Sequence, residues 1–139
     1  MRVLIDTCIV IDALQKREPF SKEAEAIFLM SANREYDGFI TAKEITDIYY
    51  LTHKQTHSEE ITRRVLFRLC SLFGVLDTTA IDIQKAISSS ISDFEDAVMI
   101  ETAIRTNMNC IVTRNTRDFD DAVIEIYTPK RFISMFSRR

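Results

Sequence analysis

The sequence predicts an α/β fold, a three-layer α/β/α sandwich with a central, mainly parallel β-sheet, and three observations carry that expectation. Apolar runs of strand length alternate with longer amphipathic stretches of helical period. Only 2 glycines and 2 prolines occur in 139 residues, too few for the tight turns of an all-β meander. The first apolar run, Val3-Leu4-Ile5, does not alternate with polar residues, so it reads as a strand covered on both faces. With 46% hydrophobic and 28% charged residues the composition is that of an ordinary globular protein, and the length suits one domain over 1–139.

In chain order, the first strand closes on Asp6-Thr7, which puts Asp6 at a strand's carboxyl end. Helices at 9–14 and 21–31 follow around the break at Pro19, and Ala24, Ile27, Phe28 and Met30 of the second face the core. A brief strand at 38–40 ends on Thr41 and leads into a helix at 42–53, where Thr41 and Glu44 have capping-box spacing. Glu44 nevertheless projects among Ile45, Ile48 and Leu51, on the apolar side.

A helix at 59–73 aligns Ile61, Val65, Leu69 and Leu72 on one stripe; a short strand at 74–77 and a helix at 81–88 come next. Ser92 and Glu95 then have capping-box spacing, so the following helix is expected to start at Asp93 with Ser92 as its N-cap. Its apolar stripe is Ala97, Ile100, Ala103 and Ile104, with Glu95, Thr102, Arg105 and Thr106 opposite, and both Asp93 and Asp96 fall within the stripe. Asn107-Met108-Asn109 makes a turn, asparagine tolerating a left-handed backbone. A strand at 110–112 ends in Thr113-Arg114-Asn115, and a last strand at 123–127 precedes Pro129, which opens a helix through Met135.

Several function classes are excluded on composition and spacing. The formal net charge of -3 is wrong for a polycation that coats nucleic acid, although Lys43, Arg114, Arg117, Lys130, Arg131, Arg138 and Arg139 could meet a phosphate chain. Cys8, Cys70 and Cys110 are odd in number and widely spaced, which argues for small buried thiols rather than disulfides or a zinc knuckle. The start has no signal-peptide layout and no apolar run reaches membrane-spanning length, so a cytoplasmic protein without membrane contact is expected. His53 and His57 have metal-ligand spacing, but Lys54 stands where a zinc protease needs glutamate. Asp6-Thr7-Cys8 has Cys8 where an aspartyl phosphatase needs its second aspartate.

The acids are the informative residues. An acid in a first turn complements the helix dipole, which accounts for Asp93 but not for Asp96 on the buried side. Parallel sheets bind ligands beyond the carboxyl ends of their strands, and Asp6, Glu44, Asp96 and the 115–118 loop all lie at or just past those ends. Carboxylates without histidine or cysteine make a hard-oxygen environment, suited to Mg²⁺ or Mn²⁺. Such ions beside a phosphodiester support its hydrolysis.

VLIDTCIVID, the helix containing Glu44, DFEDAV and IVTRNTRDF carry a resemblance over essentially the whole chain to the PIN-domain family, close to the VapC-type endoribonuclease toxins. By that resemblance Asp6, Glu44 and Asp96 match the acidic metal-site positions and Thr7 the polar residue after the first. Many relatives have aspartate where this chain has Asn115, so either Asn115 or Asp118 would complete the site. The resemblance implies one or two Mg²⁺ or Mn²⁺ ions, an RNA substrate, a homodimer and a small antitoxin partner. Arg114 and Arg117, beside the proposed site, are expected to hold the substrate backbone. A second reading is a non-catalytic PIN-like scaffold that binds RNA or protein without cutting; Asn115 favours it, and the mutual repulsion of three retained acids weighs against it.

Overall fold

Alternation along the strands sorts the core into two layers. In the computed structural model, which describes residues 1–117 and 123–137, the strands are β1 (Arg2–Ile5), β2 (Asp37–Thr41), β3 (Gly74–Leu76), β4 (Cys110–Val112) and β5 (Glu125–Tyr127). They form one sheet in the order β3-β2-β1-β4-β5, and every pairing is parallel. Val3, Ile5, Ile40, Cys110 and Val112 point to one side, and Leu4, Phe39, Ile111 and Ile126 to the other. Both faces are therefore apolar, and both require a helical cover.

The first face is covered by α1 (Thr7–Leu14), α2 (Ser21–Ala32), α3 (Ala42–Thr56), α4 (Glu59–Leu72) and α7 (Pro129–Ser137), which deliver Ile9, Ile27, Ile48, Leu69 and Phe132 to it. The second face receives Met99, Ile100 and Ala103 from α6 (Phe94–Arg105), against which α5 (Ala80–Ile87) packs through Ala86. This is the three-layer arrangement. The chain steps from β1 outward to β2 and β3, then crosses to β4 on the other side of β1, so the switch point lies between β1 and β4.

Both glycines serve close ring packing. A Cβ on Gly38 would stand 2.7 Å from the Phe73 ring, and one on Gly74 would stand 2.7 Å from the Phe39 ring.

Some expectations need correction. Asp93, not Ser92, is the N-cap of α6: its carboxylate accepts from Asp96 N at 3.0 Å, so Asp93 is exposed and lies outside the helix. Thr102 is fully buried rather than on a solvent face, because α6 packs on the sheet and on α5 at once; Thr102 Oγ1 donates to Asp82. Ile61 and Ile104, expected in apolar stripes, are 48% and 39% exposed. Cys70 is exposed, unlike the buried Cys110. Helix α1 begins at Thr7, two residues early, because Asp6 already has the extended backbone of an N-cap, and α3 runs on to a left-handed His57 (φ 54°). Asn107 has the left-handed backbone expected of the turn (φ 60°). No helix among the described residues is long and apolar enough to cross a membrane.

Candidate active site

At the switch point the end of β1 is tied to the end of β4. Asp6 N donates to Val112 O at 3.0 Å, and Thr113 Oγ1 donates to Asp6 Oδ2 at 2.6 Å. Cys8 Sγ reaches the same carboxylate oxygen at 3.4 Å. Burial raises the pKa of Asp6 above the usual carboxylate range, an effect that the hydrogen bond from Thr113 opposes. Burial and the Asp6 charge together push the Cys8 thiol up to about 12, so Cys8 is a neutral donor here and not a nucleophile.

Glu44 has two roles in one side chain. It closes the capping box of α3, with Oε1 accepting from Thr41 N at 3.0 Å while Glu44 N donates to Thr41 Oγ1 at 3.1 Å. Its other oxygen accepts from Thr7 Oγ1 at 3.2 Å, which turns the carboxylate toward the end of β1. Only 3% of the residue is exposed. Burial first, and the neighbouring Asp6 charge second, push Glu44 up to about 8. A helix cap alone gives no reason for two acids to approach closely enough to repel.

Asp96 sits at the third position of α6, half-buried. Asp6, Glu44 and Asp96, from three separate segments, line one cleft of about 360 Å³, with Thr7, Thr41 and Lys43 also on its walls. Across the cleft Lys43 Nζ pairs with Asp47 of its own helix and with Glu95 of α6 at 3.1 Å. Burial lowers the Lys43 pKa, but the hydrogen bonds to these two acids outweigh it and the net shift is upward.

The donors are all oxygen, and repulsion of the kind that lifts Glu44 is offset by a cation, so the residues suit a hard divalent ion. Among the described residues no three His, Cys, Asp or Glu side chains gather tightly enough to hold an ion by themselves. That is compatible with a small cation that keeps several waters and uses only one or two carboxylates.

Residues 2–117 match the PIN domain family. This chain belongs to that family. Solved structures agree on the fold. The PIN chain is 23% identical to a chain of a toxin-antitoxin complex from Klebsiella pneumoniae, covering 91% of this chain and 97% of that one at a TM-score of 0.66. It is 19% identical to a chain of DNA-bound VapBC from Salmonella typhimurium, covering 93% and 98% at a TM-score of 0.66. It is 12% identical to VapC20 of Mycobacterium tuberculosis, a sarcin-ricin loop cleaving toxin, covering 78% and 86% at a TM-score of 0.62. Among curated proteins no sequence matches it.

Asn115, Arg114 and Arg117, also singled out from the sequence, are not among the residues that line the cleft. Asn115 is exposed, and its N–H donates to Thr113 Oγ1 at 3.2 Å. Arg114 turns away: its guanidinium binds the fully buried Asp12 at 2.6 Å and lies over the Phe20 ring at 3.9 Å, beside a separate depression. Arg117 is exposed, and Asp118, Arg138 and Arg139 lie outside the described residues.

Sequence reasoning passed over Thr113 and Asp12, and it marked Lys43 only as one of several cations that could meet a phosphate chain. Thr113 could have been found from the parallel β1–β4 register, Ile5 opposite Val112, which sets the next residues, Asp6 and Thr113, side by side. The place of Lys43 on the cleft wall had only its position beside Glu44 as a signal. Nothing local marks Asp12, whose partner lies 102 residues away.

Proposed function

We propose that this PIN-domain protein is a Mg²⁺- or Mn²⁺-dependent endoribonuclease that hydrolyses RNA phosphodiester bonds, acting as the toxin of a VapBC-type toxin-antitoxin pair. The observation that carries the reading is the convergence of Asp6, Glu44 and Asp96 on one cleft at the carboxyl ends of a parallel sheet. In this reading Asp6, Glu44 and Asp96 hold the metal, with Asn115 or Asp118 at the rim. A divalent ion held there would supply Lewis acidity and would lower the pKa of a water near the phosphodiester.

The chain's own residues then have definite tasks. Thr113 fixes the Asp6 carboxylate by donating to Oδ2, and Thr7 fixes Glu44 by donating to Oε2. The capping box holds Glu44 on the first turn of α3, so its position follows the rigid helix rather than a loop. Arg114 and Arg117 are proposed to meet the RNA backbone beyond the cleft, Arg114 through its part-exposed guanidinium while it keeps its pair with Asp12. The similar structures from toxin-antitoxin complexes support a small antitoxin as partner, and a homodimer is part of the same proposal.

A non-catalytic scaffold is the weaker reading, because a scaffold has no use for a buried Glu44 held beside the Asp6 charge, whereas a metal site does. Calorimetric titration with Mn²⁺ tests the proposal. The parent is expected to bind, and Asp6→Asn, Glu44→Gln and Asp96→Asn each to bind at least about tenfold more weakly. Equal binding by all four proteins contradicts it.

A further inference from the structure

Among the described residues lining the acidic cleft, Lys43 is the one basic side chain. It stands next to Glu44 on α3, and its ammonium bridges to Asp47 and Glu95. Those partners are 37% and 72% exposed, so the pairs are of the weak, solvent-screened kind that another anion can displace. Lys43 is thus held over the cleft by contacts that are easily exchanged.

Tyr50 lies seven residues further along α3, two helical turns and about 10 Å from Lys43, on the same face of the helix. It lines the same cleft and is 72% exposed. Tyr49 holds its ring edge-on, with centroids 5.8 Å apart and planes at 85°, and Tyr49 in turn stacks on His53 at 5.6 Å. The ring of Tyr50 is therefore steadied while much of it faces water. A single exposed aromatic is ordinary on a protein surface. Here it shares a cleft with a displaceable cation and a row of carboxylates, and that combination matches a nucleotide: a phosphate for Lys43, a base face for Tyr50.

We propose that Lys43 and Tyr50 form a two-point subsite for single-stranded RNA on α3, in which Lys43 exchanges Glu95 and Asp47 for a backbone phosphate and an adjacent unpaired base stacks on Tyr50. The inference rests on the ribonuclease reading of the same cleft and adds the two side chains of α3 that grip the strand. Stacking on an aromatic face tolerates any base but requires that the base be unpaired, so duplex RNA is disfavoured.

The test is fluorescence anisotropy of a labelled single-stranded RNA oligonucleotide, with Ca²⁺ replacing Mg²⁺ to hold off hydrolysis. Tyr50→Ala is expected to weaken binding by roughly 5- to 100-fold, while Tyr50→Phe, which keeps the ring, binds as the parent does. Lys43→Gln weakens binding and lowers the slope of log K against log salt by about 0.7, the contribution of one phosphate on a single strand. Glu95→Gln removes one of the two acids that hold Lys43 and tightens binding, and that gain disappears in the Lys43→Gln background. If Lys43 merely braces the cleft walls, Lys43→Gln and Glu95→Gln both weaken binding and the salt slope stays unchanged, which overturns the subsite. Tyr50→Ala that binds like the parent, or a parent that prefers duplex RNA, also overturns it. A parent that cuts RNA in Mg²⁺ while these variants bind unchanged leaves the ribonuclease reading standing. A parent that neither binds nor cuts RNA removes both.

Discussion

Glu44→Gln separates the helix-capping role of Glu44 from its charge. Glutamine keeps the cap, because a capping box accepts Glu or Gln at its third position and the amide oxygen can still accept from Thr41 N. It cannot ionise, so the buried charge that the parent develops beside Asp6 as pH rises through about 8 never forms. Burial and that neighbour move Glu44 from the ordinary 4.5 to about 8. At about 1.4 kcal/mol per pH unit this sets a ceiling of roughly 5 kcal/mol, and relaxation of the cleft should leave on the order of 2 kcal/mol. The sign follows from proton binding. Between pH 4.5 and about 8 the folded parent holds a proton that the unfolded chain has released. The stability tied to this group is therefore full below 4.5 and is lost as pH rises toward about 8.

Urea unfolding in EDTA, from about pH 6 to about pH 8.5, reads the effect. The parent should lose stability across the range. The variant should show a flatter dependence and be more stable at the alkaline end by on the order of 2 kcal/mol. Added Mg²⁺ should stabilise the parent and not the variant, and the variant should lose most of its RNA cleavage. A variant less stable than the parent at the alkaline end in EDTA would refute the reasoning, because the charge would then be serving the fold.

Two further substitutions probe the other acids. Asp96→Asn should leave stability in EDTA unchanged or raised while cleavage collapses, since it removes one of three carboxylates that converge on the metal-free cleft; a loss beyond about 1 kcal/mol with cleavage retained by the folded fraction contradicts a metal role. Arg114→Ala strands the fully buried Asp12 carboxylate and should cost roughly 3–5 kcal/mol in urea unfolding; a loss under about 1 kcal/mol would show that Asp12 finds other support.

How far the sequence could be read depended on the range of the interactions. Strand runs such as Val3-Leu4-Ile5, covered on both faces, carry the layered fold because burial of both sides leaves a local signature. The helix near Ser92 was placed one residue early because Ser92 and Asp93 are adjacent and both are good caps; only the hydrogen bond from Asp96 N decides between them. Thr102 read as a solvent position because a helical wheel shows one apolar stripe, whereas α6 is covered both by the sheet and by α5. Acids at strand ends are visible in the chain, and parallel topology explains why Asp6, Glu44 and Asp96 share a cleft. The Thr113 support of Asp6 and the Arg114 pairing with Asp12 join residues 107 and 102 positions apart, and they become visible only once the β1–β4 register is known.

Cleavage of single-stranded RNA by the purified protein, assayed in Mg²⁺ and again in EDTA with Asp6→Asn prepared in parallel, tests the central claim most directly. The account predicts cleavage by the parent in Mg²⁺, none in EDTA, recovery on adding Mn²⁺, and none by the variant under any of these conditions. Parent cleavage that persists in EDTA, or Asp6→Asn cleaving as fast as the parent in Mg²⁺, would contradict it.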